Sequence, residues 1–431
     1  MSHPRLLIVG TIPYNTKDSS RAFEAYFHNW EKENIAQIFS DPQTPVKGHC
    51  GTLFQITDYR LLQRWKGKNV DTGNVYNYAD LPETTESIDR VDESKKAGWA
   101  YRIGAKHSPF THLLRAVLWQ KCFWCTSKLN AWLDEFKPEC IFLSFSDDFF
   151  ISQIAYYVAK RYNIPIISSI GDDYIFNLHF SLNPIYLLYK LTYRMHIKKV
   201  LAHRGSAIYI CDKIRDKYNS EFGLDGETVY LSSTTKRKEF SYISKEDPII
   251  TYFGNIRMGR NHSLNDIGYA LGKLNPNYKI EVYSSEKDPS IYGIFNKNPS
   301  VIYGGVIPYQ EVQEKMACSD VTVIVEGFKT EDIDWSRYSL STKAADALAS
   351  GASILVYGSQ ECGIIEYMQS TQSSFVCTSK EKLFKTINEM FENRALQKKY
   401  YYQAIKVTRE HHNLQKSCEV FENVVNRALK K

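Results

Sequence analysis

Two hydroxyl residues and a lysine stand at the predicted start of a helix in the second half of the chain. Ser341, Thr342 and Lys343 precede a run of small apolar residues that ends at Gly351, and a predicted buried strand follows. The first backbone N–H groups of a helix have no partner within it and carry a partial positive charge, which suits a phosphate group. These residues therefore favour diphosphate binding. The alternative is that Ser341 only caps the helix.

A loop with two arginines follows another predicted buried strand. Gly254 opens this loop, and Arg257 and Arg260 lie at the carboxyl end of the strand, where guanidinium groups can clamp a phosphate. Solvation of both arginines at the surface is the alternative. Further along the chain a Gly–Gly turn precedes Val306 and Ile307. Such a turn lets the backbone approach a flat ligand closely.

Carboxylates that follow predicted strands are candidates for a general base. Asp147 and Asp148 follow one strand of the first half, and Asp172 and Asp173 follow the next. Neighbouring carboxylates shift each other's pKa values, which suits proton abstraction near neutral pH. Capping of the helix that comes next is the alternative for Asp147 and Asp172. Glu326, which follows a strand of the second half, is a further catalytic candidate.

The elements that position these residues can be predicted from the hydrophobic pattern. Short apolar runs alternate with helical patterns from end to end, which is typical of βα units and parallel sheets. A chain of 431 residues is too long to fold around a single compact core. We therefore expect an α/β fold of two Rossmann-like, doubly wound domains that face a cleft. The predicted divisions are a first domain at 1–245, a second at 246–405, and a C-terminal helix at 406–431 that packs back on the first domain.

The predicted elements leave one long polar stretch, residues 41–106, which predicts an extended loop region. The predicted strands are 5–10, 140–145, 164–170, 207–210, 228–231, 249–254, 279–284, 301–304, 321–325, 353–358 and 375–377. The predicted helices include 110–132, 151–162, 184–199, 340–350 and one or two between 397 and 429. Ligands of parallel sheets bind where the strands end, so the loops after strands are where chemistry is expected.

Composition excludes several classes of protein. Hydrophobic residues make up 43% and charged residues 24%, as in a folded protein and not in a disordered one. The net charge of +6 is too small and too spread out for a dedicated nucleic-acid binder. The nine cysteines are scattered and odd in number, which favours reduced thiols over a disulfide framework. Cys122 and Cys125 lack a second pair at zinc spacing, so we assign them to packing and expect no metal site.

A stretch without acidic residues lies between Asp173 and Asp212. Four basic residues interleave there with tyrosines and leucines at helical spacing: Lys190, Arg194, Lys198 and Lys199. Such a helix can lie on an anionic membrane surface, and packing over the sheet is the alternative. The longest stretch without charged residues, Tyr174–Tyr189, is too polar to span a bilayer, and the N-terminus lacks a signal-peptide core. We therefore expect a cytoplasmic protein, either free or peripheral on the inner face of the membrane.

The order and spacing of these segments resemble the nucleotide-sugar half of GT-B glycosyltransferases, most closely the family 4-like group. Residues 254–260 match the family's glycine-plus-basic loop, 306–311 its base-binding loop, and 346–351 its helix motif. Tyr338 and Asp346 stand where the family usually has two glutamates. The resemblance implies that the donor is bound by Gly254, Arg257, Arg260, Val306, Ile307, Ser341, Thr342, Lys343 and Asp346.

The resemblance implies a glycosyltransferase that moves a sugar from a nucleotide-diphosphate sugar to a lipid-linked or oligosaccharide acceptor in bacterial surface-polysaccharide assembly. Positive side chains would stabilise the leaving diphosphate without a metal ion or other cofactor. The candidate catalytic residues are Asp172, Glu326, Arg260 and Lys343. The candidate acceptor-side residues are Arg21, Glu24 and Asp173, with helix capping as the alternative for the first two. Two other hypotheses stay open: a sugar-nucleotide epimerase or hydrolase, and a non-catalytic binding subunit, which Tyr338 favours.

Overall fold

The computed structural model describes residues 3–14, 20–83, 108–176 and 182–431, without the side chains of Ser20, Arg21 and Tyr309. The chain divides into two compact units. The first unit comprises Met1–Val229 and Cys418–Lys431, and the second comprises Tyr230–Ser417. Each unit contains one β-sheet.

The sheet of the first unit is parallel except at one edge. Its strands are β1 Leu6–Val9, β2 Ile35–Phe39, β3 Thr52–Ile56, β4 Gly73–Asn77, β5 Cys140–Ser144, β6 Ile166–Ile170, β7 Gly205–Tyr209 and β8 Glu227–Thr228. Their order is β4-β3-β2-β1-β5-β6-β7-β8, and only β4 runs antiparallel to its neighbour. In the centre, Leu6 of β1 pairs with Ile35 on one side and Cys140 on the other. All four residues of β1 are buried, because helices cover both faces of such a sheet.

The predicted loop region at 41–106 is wrong in part, since β3 and β4 lie within it. Leu53 to Ile56 form a short buried run. Strand β4 lies at the edge of the sheet, where Asn77 is exposed and Asn74, Val75 and Tyr76 are half-buried. Short edge strands of this kind have the composition of loops, which explains the error. Residues 84–107 lie outside the described part of the chain.

The helices of the first unit connect its strands. They are α1 Ser20–Phe27, α2 Asp58–Trp65, α3 Pro109–Leu118, α4 Lys121–Trp124, α5 Ser127–Phe136, α6 Phe149–Tyr162, α7 Pro184–Leu201 and α8 Asp212–Phe222. The single helix predicted at 110–132 is therefore three helices. Ser108 and Thr111 form a capping box at the start of α3, and Pro109 occupies its first turn, as helix N-termini favour.

The sheet of the second unit is parallel throughout, in the order β11-β10-β9-β12-β13-β14. Its strands are β9 Ile250–Phe253, β10 Ile280–Tyr283, β11 Val301–Gly305, β12 Val321–Val325, β13 Ser353–Tyr357 and β14 Phe375–Cys377. These confirm the strand predictions of the second half to within one residue at each end. Because all six strands run the same way, their carboxyl ends form one edge of the sheet.

Most helices of the second unit alternate with its strands. They are α9 Arg260–Leu274, α10 Pro289–Tyr292, α11 Tyr309–Cys318, α12 Thr330–Ser336, α13 Lys343–Ser350, α14 Gly363–Thr371, α15 Lys380–Glu392 and α16 Arg394–Glu410. The last helix, α17 Leu414–Lys430, belongs to the first unit from Cys418 onwards. Its Phe421 is fully buried there against Phe27 and Phe142, at ring distances of 5.2 and 5.8 Å.

The division between the units lies after Val229, whereas the sequence places it near residue 245. The segment from Tyr230 onwards is held by α13 of the second unit. The backbone N–H of Lys238 donates to Ser350 O at 2.9 Å, and Arg237 Nη2 donates to Leu348 O at 2.9 Å. The charge cluster at 236–239, which resembles a linker in sequence, is therefore part of a folded unit.

Two further predictions concern cysteines and membranes. All nine cysteines are free in the structure, and the reduced thiols expected from their number stay a prediction. Within the described ranges, no helix is both long and apolar enough to cross a membrane.

Candidate active site

A buried ion pair lies at the carboxyl edge of the second sheet. Arg260 is the first residue of α9, and Glu326 follows β12 directly. Arg260 Nε donates to Glu326 Oε2 at 2.9 Å and Nη2 donates to Oε1 at 3.0 Å, which is a bidentate geometry. The side chains are only 12% and 4% exposed. Burial lowers the pKa of Arg260, but the Glu326 carboxylate outweighs that effect and raises it, so the guanidinium stays charged.

Lys343 lies beside this pair, against the end of β9. A Cβ atom on Gly254 would lie 1.9 Å from Lys343 Nζ, so only glycine lets the ammonium group come this close to the strand. The ammonium group also lies 5.3 Å from the ring centre of Tyr252. Burial and the positive charge of Arg260 lower the pKa of Lys343, and the negative charge of Glu326 raises it. The lowering effects are larger, so the pKa of Lys343 is about 8. Lys343 is thus a cation at neutral pH that loses its proton in mildly basic solution.

Close contact between two loops brings Arg260 and Glu326 together. Gly259 has a φ of +72°, and a Cβ there would lie 2.3 Å from Asp332 Oδ2. A Cβ on Gly327 would lie 2.6 Å from a backbone oxygen of the first loop. Both glycines therefore allow the loop after β9 and the loop after β12 to approach backbone to backbone.

Arg257 pairs with a carboxylate that the sequence did not indicate. Its Nη2 donates to Glu286 Oε1 at 2.9 Å, and its Nε lies 2.5 Å from Glu286 Oε2. Glu286 follows β10 and also accepts the backbone N–H groups of Lys287 and Asp288, both at 3.0 Å. The hydrogen bonds from Arg257 lower the pKa of Glu286. Its position just after a predicted strand was the one available signal for this residue.

The helix start predicted to bind phosphate is α13. The alternative in which Ser341 caps this helix is wrong, because Thr342 holds the N-cap position and its side chain makes no capping hydrogen bond. Ser341 contributes only its backbone oxygen, which accepts the N–H of Ala344 at 3.0 Å. The first N–H groups of α13 thus lie at the same sheet edge as the ammonium group of Lys343.

Other donor-side candidates lie in different surroundings. Val306 follows β11 and is 69% exposed at the sheet edge, with Ile307 half-buried beside it. Asp346 is buried inside α13, where Ser233 Oγ donates to its Oδ1 at 2.6 Å. Thr235 Oγ1 lies 3.5 Å from the same oxygen. Asp346 therefore anchors the segment that opens the second unit, and the ribose contact that the resemblance implies stays a prediction.

The acceptor-side candidates belong to the first unit. Asp173 Oδ1 accepts the hydroxyl of Tyr218 at 2.8 Å and two backbone N–H groups of the turn after β6, at 3.0 Å each. Asp172, next to it, is exposed. Glu24 on α1 lies 2.8 Å from the imidazole of His28. The side chain of Arg21 lies outside the described part of the structure.

A buried histidine in the first unit escaped sequence reasoning. His112 on α3 places Nδ1 3.0 Å from Asp148 Oδ1 and Nε2 3.4 Å from Asp147 Oδ2. Arg115 Nη1 donates to the other oxygen of Asp148 at 2.5 Å, and the ring of Tyr189 stacks on the imidazole at 5.0 Å. Asp148 holds the N-cap position of α6 without a side-chain capping bond, since its oxygens are engaged here.

The protonation of His112 decides what this cluster can do. Burial lowers the pKa of His112, but hydrogen bonds to Asp147 and Asp148 outweigh it and raise the pKa to about 9. Ligand-type atoms of the three residues lie within 4.8 Å of one another, as in a metal site. Without a metal ion the imidazolium holds a proton between the two carboxylates at neutral pH, and a metal ion would have to displace that proton to bind.

Comparison with known proteins supports the fold assignment. No protein-family model matches the chain, and no curated protein sequence matches it. Solved structures do match, and they confirm the predicted fold, that of the GT-B glycosyltransferases with two Rossmann-like sheets. HepE from Anabaena, solved in complex with UDP, is similar with a TM-score of 0.61 and 11% identity, over 98% of this chain and 100% of HepE.

Two other solved structures show the same likeness. A glycosyltransferase from Rickettsia africae matches with a TM-score of 0.58 and 10% identity, over 99% of this chain and 98% of its own. TarM from S. aureus matches with a TM-score of 0.52 and 13% identity. The match covers 69% of this chain and only 57% of the TarM chain. At these identities the likeness concerns the fold.

Proposed function

We propose that the chain is a glycosyltransferase that takes its sugar from a nucleotide-diphosphate sugar. The observation that carries the proposal is the convergence of Lys343, Arg260 and the start of α13 at the carboxyl edge of the second sheet. Cations and free backbone N–H groups at such an edge bind phosphates. Structures of HepE and TarM with UDP, on the same fold, support this choice of ligand.

The proposed chemistry is electrostatic stabilisation of the leaving diphosphate. As the glycosidic bond breaks, negative charge grows on the diphosphate, and preorganised cations lower the energy of that state. Glu326 holds the guanidinium of Arg260 in one orientation, so little reorganisation is needed during reaction. The net charge of this group is +1, because three cations stand against two carboxylates: Arg257, Arg260 and Lys343 against Glu286 and Glu326. The partial positive charge of the helix start adds to it. We propose that these groups act without a divalent cation or other cofactor.

For the acceptor we propose a lipid-linked saccharide or an oligosaccharide of bacterial surface-polysaccharide assembly, bound by the first unit in the cytoplasm. Asp172 is the better candidate for the general base, because it is exposed whereas one oxygen of Asp173 is engaged by three donors. Arg21 and Glu24 complete the proposed acceptor side.

The epimerase or hydrolase hypothesis gains little from the structure. A histidine between carboxylates would favour it, and His112 is such a residue. However, His112 is only 5% exposed and both of its ring nitrogens face carboxylates. It therefore offers no accessible base for a sugar.

Product analysis with a panel of nucleotide sugars tests the proposal. Ligand-induced thermal shift first selects the donor, since selective stabilisation follows from affinity. A new glycoside with a saccharide acceptor supports the transferase, whereas an altered sugar nucleotide supports the epimerase or hydrolase. Stabilisation without any turnover supports a binding subunit. Lys343→Met should reduce the shift, and Lys382→Met, which replaces an exposed lysine on α15, is the matched control.

A further inference from the structure

Glu286 is held firmly by its own loop and by the neighbouring strand. Its side chain is only 9% exposed, and its Oε1 accepts the backbone N–H groups of Lys287 and Asp288, both at 3.0 Å. Its backbone is tied as well, because the hydroxyl of Tyr303 on β11 donates to Glu286 O at 2.6 Å. The ring of Tyr303 in turn stacks on Tyr292 at 4.8 Å. Glu286 is therefore a fixed carboxylate in the loop that follows β10.

Arg257, the partner of Glu286, combines a fixed backbone with an exposed side chain. Ile256 beside it is fully buried, and Asn255 Oδ1 accepts the backbone N–H of Arg257 at 2.7 Å. The Arg257 side chain is 52% exposed. Among the described residues its guanidinium pairs with Glu286 alone. Glu286 thus determines the orientation of this long side chain.

The ion pair leaves part of the guanidinium available to a ligand. Glu286 engages the Nε and Nη2 atoms on one edge of the group. A guanidinium carries five N–H groups in one plane, so three remain on Nη1 and Nη2. In the part of the chain that the structure describes, no residue contacts Nη1. A phosphate can therefore bind the outer edge of Arg257 in a bidentate geometry without breaking the ion pair.

Two arginine–carboxylate pairs flank strand β9. The strand order places β10 on one side of β9 and β12 on the other. Glu286 after β10 holds Arg257, and Glu326 after β12 holds Arg260, each through two contacts. The pair of Arg260 is buried, whereas the pair of Arg257 opens to solvent on the arginine side. An ion pair with so exposed a partner adds little to folding stability, so stability does not account for the many anchors of Glu286.

We propose that Glu286 is a positioning residue for the donor: it holds Arg257 in the orientation in which the guanidinium binds the diphosphate. The proposal rests on the proposed function, because it requires a diphosphate at this sheet edge. A side chain that is already ordered loses no conformational freedom when the ligand binds, which strengthens binding. The carboxylate of Glu286 thus favours the binding of an anion, although the two negative charges repel each other.

Calorimetric titration of the full chain with UDP tests the proposal, because positioning and charge alone predict opposite signs. Removal of a negative charge near an anion site strengthens binding if only charge matters. Glu286→Gln should instead weaken UDP binding about fivefold, as the cost of ordering one long side chain. Arg257→Lys keeps the positive charge but cannot make two parallel hydrogen bonds to a carboxylate, and it should weaken UDP binding by a similar factor.

Asp288→Asn is the matched control. Asp288 lies two residues from Glu286, and the structure shows no ion pair between its carboxylate and Arg257, on which its charge acts from a distance. Asparagine retains the N-cap of α10, where the Asp288 side chain accepts the N–H of Ser290 at 2.9 Å. This variant should bind UDP at least as tightly as wild type. Unchanged melting temperatures show that the variants are folded.

A double variant shows whether Glu286 acts through Arg257. Arg257→Gln should weaken UDP binding about tenfold, because a charged contact to phosphate is lost. The addition of Glu286→Gln to this variant should cause no further loss, since the side chain that Glu286 positions is gone.

Four results overturn the proposal: Glu286→Gln or Arg257→Lys that binds UDP as tightly as wild type, Asp288→Asn that loses as much affinity as Glu286→Gln, or losses that add up in the double variant. Each of them leaves UDP binding by wild type, and with it the proposed function, standing. A wild-type protein that binds neither UDP nor GDP nor ADP would instead contradict the proposed function itself, together with this proposal.

Discussion

Arg260 and Glu326 depend on each other, and this changes what an alanine substitution reports. Arg260→Ala leaves a buried carboxylate without its partner, and we expect a loss of about 3–5 kcal/mol in unfolding free energy. Arg260→Met/Glu326→Gln removes both charges and should recover most of that stability, but not the donor affinity. Urea unfolding and calorimetric titration with UDP measure the two effects separately. Full donor affinity in the stable double variant would remove Arg260 from the proposed site.

Lys343 should make donor binding depend on pH. Burial holds its pKa at about 8, so the ammonium group loses its charge as the pH rises through that value. A charged contact to phosphate is worth about 1.5–3 kcal/mol, so UDP affinity should fall roughly tenfold to a hundredfold across this range. Calorimetric titration over a pH series measures the fall. Lys343→Met should bind weakly at every pH, and a wild-type profile parallel to that of Lys343→Met would contradict the assignment.

At the scale of the elements, the end of β9 must be glycine for Lys343 to reach it. Gly254→Ala places a Cβ 1.9 Å from Lys343 Nζ and occupies a φ of +131°. We expect Lys343 to be displaced, with a backbone cost of about 1–3 kcal/mol and weaker UDP binding. Gly293→Ala is the matched control, because a Cβ there meets nothing within 4 Å. Thermal unfolding and UDP titration of both variants test the difference.

The contact of α3 with the loop after β5 should make stability depend on pH. His112 has its pKa raised from 6.5 to about 9, so the folded state binds its proton more tightly than the unfolded state. The resulting stability, up to about 3 kcal/mol, is fully present below pH 6.5 and lost as the pH rises through 9. Urea midpoints from pH 6 to 10 should fall for wild type. His112→Gln should have a lower urea midpoint than wild type at pH 6, and its midpoint should change less with pH. If the midpoints of both proteins fall equally with pH, a group other than His112 causes the pH dependence.

At the scale of the whole molecule, glycosyl transfer should survive metal chelation. Three cations opposed by two carboxylates leave one net positive charge at this sheet edge, and together with the helix start it is expected to take the place of a divalent ion. We expect equal turnover with and without excess EDTA, measured with the donor that the thermal-shift screen selects. Loss of activity in EDTA that Mg²⁺ or Mn²⁺ restores would contradict the prediction.

The sequence alone determined the sheet of the second unit and the loops that carry the proposed donor site. Val321–Val325 is a continuous apolar run, as strands buried on both faces often are, so local composition finds it. Strand β2 is equally buried but is not predicted, because Gln37 interrupts its apolar residues. The edge strand Gly73–Asn77 is not predicted from the sequence, because it is exposed or half-buried at four positions and so has no continuous apolar run. Parallel topology then places every loop after a strand at the same edge, which made the positions of Arg260 and Lys343 predictable.

Only the tertiary structure decided which side chains meet. Arg260 and Glu326 are 66 residues apart, Arg257 and Glu286 are 29 apart, and His112 and Asp148 are 36 apart. Crossover connections bring these partners together, and no local pattern encodes the pairing of two side chains on different loops. The same holds for α7, where the interleaved pattern predicts a helix, while packing against α3 and the sheet determines that its tyrosines are buried and its leucines exposed.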